Sequence, residues 1–187
     1  MITSYRQQLA DSTALIVAMQ AQADVVEQIA DVIAQNVLAG HTLFTCGNGG
    51  SAADAGHFAE ELSGRYRGNR RALPAQSLSI DALVITCIAN DFGYDAVFAR
   101  QLEALGRAGD LLFVLSTSGN SASILAVLDT ARSKGITTIA MLGKGGGQAA
   151  GRADYQIIVP SNDSGRIQEA HMQVIHYICE VIEQRCQ

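Results

Sequence analysis

A glycine-rich turn in the first third of the chain has the composition of an anion-binding loop. Residues 47–50 (Gly-Asn-Gly-Gly) follow an apolar run, and a helix-compatible segment begins at Ser51. Glycine has no Cβ, so the backbone can turn sharply here and approach a ligand closely. Free N–H groups at the start of a helix, together with the helix dipole, favour a bound anion. The turn therefore predicts a phosphate site.

A histidine and a glutamate follow within the same predicted helix. His57 and Glu61 are four residues apart, so on a helix they project from one face. Such a pair can share a metal ion, as in many zinc sites, or simply form a hydrogen bond on the helix surface. A phosphate site and this pair on one short element indicate an enzyme that acts on a phosphorylated small molecule.

A second loop is rich in hydroxyl groups. Ser116, Thr117, Ser118 and Ser121 supply four hydroxyls within six residues, between a predicted strand and a predicted helix. They can donate hydrogen bonds to phosphoryl oxygens, although the loop could also be a plain turn with Ser121 as a helix N-cap. Two loops of this kind at strand-to-helix junctions of one sheet favour a sugar-phosphate site.

The first loop also fits another class of ligand. Residues 47–52 satisfy the loose dinucleotide pattern G-x-G-x-x-[G/A]. That interpretation needs an acidic residue at the end of the next strand, where Asp81 is a late match. It leaves residues 116–121 unexplained, so the sugar-phosphate interpretation is preferred.

The last helix carries further candidate ligands. Gln168 and His176 are eight residues apart on a predicted helix over residues 166–184, about 12 Å along its axis at ~1.5 Å per residue. His171, three residues after Gln168, would form a more local pair. Spacing alone leaves the choice between His171 and His176 open.

Strand and helix patterns alternate after residue 40, which predicts an α/β fold. Predicted strands are 42–46, 75–79, 111–116, 137–142 and 155–159, and the helices between them are 51–62, 82–88, 96–105 and 121–132. Residues 82–88 could be a buried strand on composition, but Asp81 as an N-cap favours a helix. We expect a doubly wound, five-stranded parallel sheet flanked by helices, with ligands at the carboxyl ends of its strands.

The chain is expected to form a single domain over residues 1–187. An N-terminal helical segment, residues 1–39, precedes an α/β core over residues 40–187, and Gly40 is the predicted stop. The helix around residues 9–19 carries little charge, so it packs either within the chain or against another copy of it.

Composition narrows the class of protein. A formal net charge of −5 over 187 residues argues against a nucleic-acid binder. The four cysteines include no C-x-x-C pair, which is typical of a reducing compartment. The N-terminus has no apolar signal core, and no apolar run approaches the ~20 residues that span a bilayer. We expect a cytoplasmic protein without membrane or nucleic-acid partners.

Two polar segments each have a structural and a functional interpretation. Arg65, Arg67, Arg70 and Arg71 form a basic run that is either solvated surface or an anion clamp. Asn90 and Asp91 lie in a predicted helix–helix turn, where they either cap a helix or contact sugar hydroxyls.

Together these motifs resemble the SIS (sugar isomerase) domain family, specifically its sedoheptulose-7-phosphate isomerase (phosphoheptose isomerase) family, over nearly the whole chain. The resemblance is carried by segments 46–51, 54–61, 64–66, 90–94, 116–121 and 166–169, and by His176. It implies a homotetramer, assembled in part through the N-terminal helices, with active sites at subunit boundaries. It also implies a ketose–aldose isomerase that forms D-glycero-D-manno-heptose 7-phosphate, a precursor of heptose in surface glycans.

The resemblance also implies roles for individual residues. One zinc ion per subunit would be held by His57, Glu61, Gln168 and His176. Substrate contacts would come from Asn48, Gly49, Gly50, Ser51, Glu61, Asn90, Asp91, Ser116, Thr117, Ser118, Ser121 and Gln168. Glu61 is the candidate base and His176 the candidate acid.

The alternative within this family is a non-catalytic scaffold that binds sugar phosphate or a replication-initiator protein. Such a scaffold lacks part of the metal and catalytic set, whereas this chain keeps His57, Glu61 and His176. Gly165 departs from the family pattern, since some members carry a polar residue there, and this puts one substrate hydrogen bond in question.

Overall fold

The computed structural model describes residues 4–186, so the first three residues of the predicted N-terminal helical segment lie outside the described part. The helices are α1 (Tyr5–Ala18), α2 (Ala23–Ala39), α3 (Gly50–Ser63), α4 (Ala82–Phe92), α5 (Ala99–Leu105), α6 (Ala122–Ser133) and α7 (Ser164–Arg185). The strands are β1 (Leu43–Gly47), β2 (Ala75–Ser77), β3 (Leu111–Ser116), β4 (Thr137–Leu142) and β5 (Tyr155–Ile158). Short 3-10 turns cover Met19–Gln22, Tyr94–Ala96 and Lys144–Ala149.

The five strands form one parallel sheet in the order β2-β1-β3-β4-β5. Every residue of β3 is buried. Leu111, Phe113 and Leu115 belong to the core beneath α2, α3 and α7, whereas Leu112 and Val114 belong to the core beneath α4, α5 and α6. Both faces of the sheet are therefore covered, which confirms the predicted doubly wound α/β fold.

Capping residues define the ends of three helices. The Asp81 carboxylate accepts hydrogen bonds from the Leu83 and Val84 N–H groups, at 3.0 and 3.1 Å, so the segment after it is helical. Gly40 ends α2 with a φ of 98°, as the predicted stop requires. Asp163 caps α7 by accepting from the Gly165 and Arg166 N–H groups.

The N-terminal helical segment consists of two helices joined by the 3-10 turn, in which the Gln22 side chain exchanges two hydrogen bonds with the backbone of Ile158. Two predicted boundaries further along the chain were wrong. Asn90 and Asp91 lie in the last turn of α4, since the chain leaves the helix only at Gly93. The helix predicted from residue 96 begins at Ala99, after the 3-10 turn.

Helix α1 is the least integrated element. None of its residues is buried within the described part of the chain. It contacts α7 through Ser12, whose hydroxyl donates to the Glu169 carboxylate, at 3.0 Å, and through Leu15. Among residues 4–186, every helix is too short or too polar to cross a membrane.

Candidate functional site

Helices α3 and α7 pack side by side and bring three ligand-type side chains together. The His57 Nε2 atom lies 3.2 Å from Glu61 Oε1 and 3.2 Å from His176 Nε2. One ligand atom from each residue lies within 4.8 Å of the others. Two imidazoles and a carboxylate are a donor set suited to a divalent transition metal, so this cluster is compatible with a metal ion.

His171 is not part of the cluster. It is fully buried, and its Nε2 atom lies 3.3 Å from the carbonyl oxygen of Leu142 at the end of β4. Within residues 4–186 its Nδ1 atom has no hydrogen-bond partner. Burial lowers the pKa of this imidazole to about 4, so His171 is neutral at physiological pH. The structure thus separates the two histidines that spacing could not.

Gln168 lies at the opposite end of the α3–α7 contact from His176. A Cβ placed on Gly50 would lie 2.9 Å from the Cδ and Oε1 atoms of Gln168, so the side chain rests directly on the first residue of α3. His176 reaches α3 two turns later, at His57. Both α7 residues therefore face α3, as their spacing predicted.

Glu61 lies in a buried environment that favours its protonated form. Its side chain is only 12 % exposed. Burial raises the pKa of the carboxyl, while the nearby His57 and His176 imidazoles lower it and the Glu60 and Glu183 carboxylates raise it further. The net direction is upward, which makes Glu61 a stronger proton acceptor than an ordinary surface glutamate.

Tyr66 forms a wall of the site that sequence reasoning missed. Its ring lies 5.7 Å from the His176 ring, tilted by 32°. The Arg67 guanidinium lies 4.7 Å from the centre of the Tyr66 ring and pairs with Glu180 at 2.7 Å. Glu183 fixes the same segment by accepting from the Arg67 and Gly68 N–H groups, at 2.8 and 2.9 Å. The available signal was an aromatic residue inside the basic run.

Most of that basic run has a structural role. Arg70 donates to the carbonyl oxygens of Leu62 and Glu61 and so caps the end of α3. Arg71 donates to the Leu38 carbonyl near the end of α2. Together with the Arg67–Glu180 pair, these contacts do not support an anion clamp built from all four arginines. Arg65 is exposed.

The two predicted phosphate loops lie side by side, because β1 and β3 are adjacent strands and both loops follow their carboxyl ends. The Asn48 amide joins them. Its Nδ2 donates to the Ser123 hydroxyl at 3.1 Å, and its Oδ1 accepts from the Tyr94 hydroxyl at 2.8 Å. Tyr94 was missed at the sequence level because its partner is 46 residues away in the chain.

Within the second loop, two hydroxyls shape the backbone and two are available. Ser116 Oγ accepts from the Gly119 N–H, and Ser118 Oγ accepts from the Asn120 N–H. In the described part of the chain, the hydroxyls of Thr117 and Ser121 make no hydrogen bond, and Ser121 does not cap α6 with its side chain. This loop is therefore more than a capped turn.

The remaining predicted residues occupy simpler positions. Ser51 is 3 % exposed, in the first turn of α3, and Gly49 holds the preceding turn with φ 58° and ψ −125°. The Asn90 amide donates to the Asp91 carboxylate at 2.8 Å on the exposed end of α4. No hydrogen bond among the described residues joins Asn90 or Asp91 to the three-residue cluster.

Comparison with known proteins agrees with this geometry. A family profile for the SIS domain matches residues 5–143. A phosphoheptose isomerase of Citrifermentans bemidjiense is 44% identical over 184 residues, which cover 98% of this chain and 96% of that protein. The structure of phosphoheptose isomerase from Neisseria gonorrhoeae superposes with a TM-score of 0.85 at 35% identity, covering 97% of this chain and 100% of that one. A phosphoheptose isomerase structure from Francisella tularensis gives 0.89 at 32% identity, covering 98% and 100%.

Proposed function

The chain belongs to the phosphoheptose isomerase family of SIS-domain proteins and is an isomerase, and we propose that it converts sedoheptulose 7-phosphate into D-glycero-D-manno-heptose 7-phosphate. The observation that carries this proposal is the convergence of His57, Glu61 and His176 at one site. Two hydroxyl- and glycine-rich loops lie together at the carboxyl ends of β1 and β3 of the same sheet.

The reaction needs a base, an acid and a stabilised oxyanion. A ketose becomes an aldose when a proton leaves C1 and returns to C2 through an enediol(ate). Glu61 removes the C1 proton, since its pKa is raised by burial. His176 moves protons at the substrate oxygens, and the Tyr66 ring beside it restricts the orientation of its imidazole.

A zinc ion, one per subunit, fits the same residues. His57, Glu61 and His176 would hold it, and when bound it would polarise the substrate carbonyl. Gln168 is the proposed fourth ligand; its side chain rests on Gly50, about two turns before His176 on α7, and would have to turn toward the cluster to join the other three. A carboxylate oxygen that donates to a metal is a poorer base than a free one. With zinc bound, Glu61 would serve as the base only while its carboxylate does not hold the ion.

The phosphate end would be held away from the reacting carbons. The proposed contacts are Asn48, Gly49, Gly50, Ser51, Ser116, Thr117, Ser118 and Ser121, with Asn90, Asp91 and Gln168 along the sugar. The unpaired Thr117 and Ser121 hydroxyls support the phosphate assignment. Binding energy at this end orients C1 and C2 against Glu61.

A homotetramer in the cytoplasm, with active sites at subunit boundaries, completes the proposal. Exposed apolar side chains on two helices support assembly: Leu9 and Val17 on α1 are 49 and 57 % exposed, and Leu83 on α4 is 81 % exposed. The side chain of His57 is 36 % exposed, so the cluster is open enough for a neighbouring subunit to approach it.

The test combines turnover with a matched pair of variants. Wild type should isomerise sedoheptulose 7-phosphate and retain zinc on purification. Glu61→Gln should lower kcat by about 10²- to 10⁴-fold, the range for loss of a general base, while still binding the sugar phosphate. Glu103→Gln, at an exposed position on α5 away from the cluster, should stay close to wild type.

Two outcomes would refute the proposal. Full activity in Glu61→Gln would remove this carboxylate as the base. A wild-type protein without measurable turnover, yet forming a tight and specific complex with replication proteins, would indicate the scaffold instead.

A further inference from the structure

A third loop at the carboxyl edge of the sheet lies directly against the second phosphate loop. It follows β4 and contains Gly145, Gly146 and Gly147. A Cβ on Gly119 would lie 2.5 Å from the carbonyl carbon of Gly146, and a Cβ on Gly147 would lie 2.7 Å from Asn120 Oδ1. The backbones of Gly119 and Gly146 therefore lie in direct contact, and Gly147 packs against the Asn120 side chain.

Hydrogen bonds join the two loops on both sides of this contact. The Ala149 N–H donates to the Gly119 carbonyl oxygen at 2.9 Å. The Gln148 N–H donates to Asn120 Oδ1 at 3.0 Å. The loop after β4, called the glycine loop below, thus binds two consecutive residues at the tip of the second phosphate loop, which is the hydroxyl loop over residues 116–121.

The glycine loop has a conformation that other residues rarely adopt. Gly145, Gly146 and Gly147 have φ values of 77, 87 and 55°. Fixing three consecutive glycines costs more conformational entropy than fixing other residues, so contacts elsewhere must hold the loop. The Lys144 N–H donates to the Ser161 carbonyl at 3.0 Å, and Gly146 lies against Ile158 at the end of β5.

We propose that Gly146 and Gly147, together with the backbone N–H groups of the two residues that follow them, form a positioning brace for the phosphate loop and set the affinity of the enzyme for the phosphate end of its substrate. The brace touches no substrate itself. It holds Gly119 and Asn120, whose N–H groups bond the hydroxyls of Ser116 and Ser118. That arrangement fixes the loop from which Thr117 and Ser121 present their free hydroxyls. The inference rests on the proposed sugar-phosphate function.

The first test compares two glycines of the same loop. In Gly147→Ala the added methyl group meets the hydroxyl loop. In Gly145→Ala it enters open space, because nothing lies within 4 Å of that Cβ position. Gly147→Ala should raise KM for sedoheptulose 7-phosphate by about ten- to a hundredfold, the loss expected for one hydrogen bond to a charged group, with kcat within about threefold. Gly145→Ala should leave KM unchanged.

A second pair covers the case in which Gly147→Ala fails to fold, since its ψ of −146° combined with positive φ is almost restricted to glycine. Asn120→Ala removes the side-chain acceptor that binds the Gln148 N–H. Gln148→Ala removes a neighbouring exposed side chain but keeps that backbone donor. Asn120→Ala should raise KM severalfold, whereas Gln148→Ala should match wild type.

The changes in KM and kcat, taken together, distinguish a role of the brace in positioning the substrate from a role in folding. If Gly147→Ala and Asn120→Ala lower the melting temperature or kcat but keep the wild-type KM, the brace has no role in binding and the inference is wrong. The dissociation constant for inorganic phosphate, measured by calorimetry, applies the same comparison without turnover. It tests the brace even if wild type fails to isomerise the heptose phosphate, which would overturn the proposed function alone.

Discussion

The surroundings of the two α7 histidines, rather than their residue type, decide which of them can take part in proton transfer. The chain places His176 against Glu61 and His57, where it can exchange protons, and places His171 in the core. Five residues separate these two histidines on α7, so they lie on different faces of the helix. Their sequence spacing permitted either to be the ligand, and only packing against α3 separated them.

The buried imidazole of His171 predicts acid sensitivity. Its pKa is about 4 in the folded protein and 6.5 in the unfolded chain. The unfolded state therefore binds more protons between these values, and stability should fall as pH drops from 6.5 towards 4. At pH 5 the loss should be roughly 2 kcal/mol relative to pH 7.5, at about 1.4 kcal/mol per unit.

His171→Gln supplies the control for this prediction, because it removes the titrating group but keeps a polar side chain. Urea unfolding of both metal-free proteins at the two pH values gives their free energies of unfolding. The pH-dependent loss in wild type minus that in the variant is the contribution of His171. The raised pKa values of Asp54 and Glu61 act in the opposite direction, but they are common to both proteins and cancel. An equal loss of stability in wild type and variant would refute the assignment to His171.

At the scale of elements, sequence patterns located the sheet well because its strands are buried on both faces. The bounds of β3 and β4 match the predicted ranges, since continuous apolar runs end where the core ends. The break between α1 and α2 carries no glycine or proline. The Gln22 side chain at this break exchanges hydrogen bonds with Ile158, which is 136 residues away. Such a contact leaves no local signal.

The residues of the candidate site were predictable where their signal is local to one element. Residue types and spacing indicated His57, Glu61 and the two loops, since each lies within one local element. Tyr66, Tyr94 and the glycine loop after β4 were missed, because their roles depend on which elements the fold brings together. Local patterns identify the chemical groups, and tertiary packing decides their neighbours.

The α3–α7 contact yields a prediction about metal binding. Gly50 gives Gln168 room to lie on α3, so Gly50→Ala should displace that side chain. If Gln168 is a ligand as proposed, zinc affinity should fall by about 10- to 100-fold, the range reported for disturbed supporting residues of metal sites. Competition with a chromogenic chelator measures this affinity directly.

Gly56→Ala is the matched control, because Gly56 lies on the same helix and its added Cβ would meet only the Ile80 side chain, at 3.1 Å. It should bind zinc as wild type does. Replacing a glycine inside a helix should also stabilise the fold by roughly 0.5–1 kcal/mol, less any adjustment of Ile80. Unchanged zinc affinity in both Gly50→Ala and Gln168→Ala would show that Gln168 does not hold the metal.

At the scale of the whole molecule, the fold leaves apolar side chains of α1 exposed. Leu9 and Ile16 are seven residues apart on α1, so they share a face, and they are 49 and 36 % exposed. Ser12 lies three residues after Leu9 and four before Ile16, so these two apolar side chains lie beside the contact that Ser12 and Leu15 make with the rest of the chain. A helix that has no buried residue and keeps apolar side chains exposed is suited to packing against its counterpart in another subunit.

Charge on the exposed face of α1 should therefore dissociate the assembly. Wild type should elute with about four times the 19.7 kDa of one chain, measured by light scattering. The double variant Leu9→Glu and Ile16→Glu should shift to smaller species, because burying unpaired carboxylates in an interface is costly. Ala14→Glu adds one carboxylate on another exposed face of α1 and should remain a tetramer. If sites lie at subunit boundaries, turnover should fall with the dissociated variant alone. A monomeric wild type with full turnover would refute both the assembly and its link to catalysis.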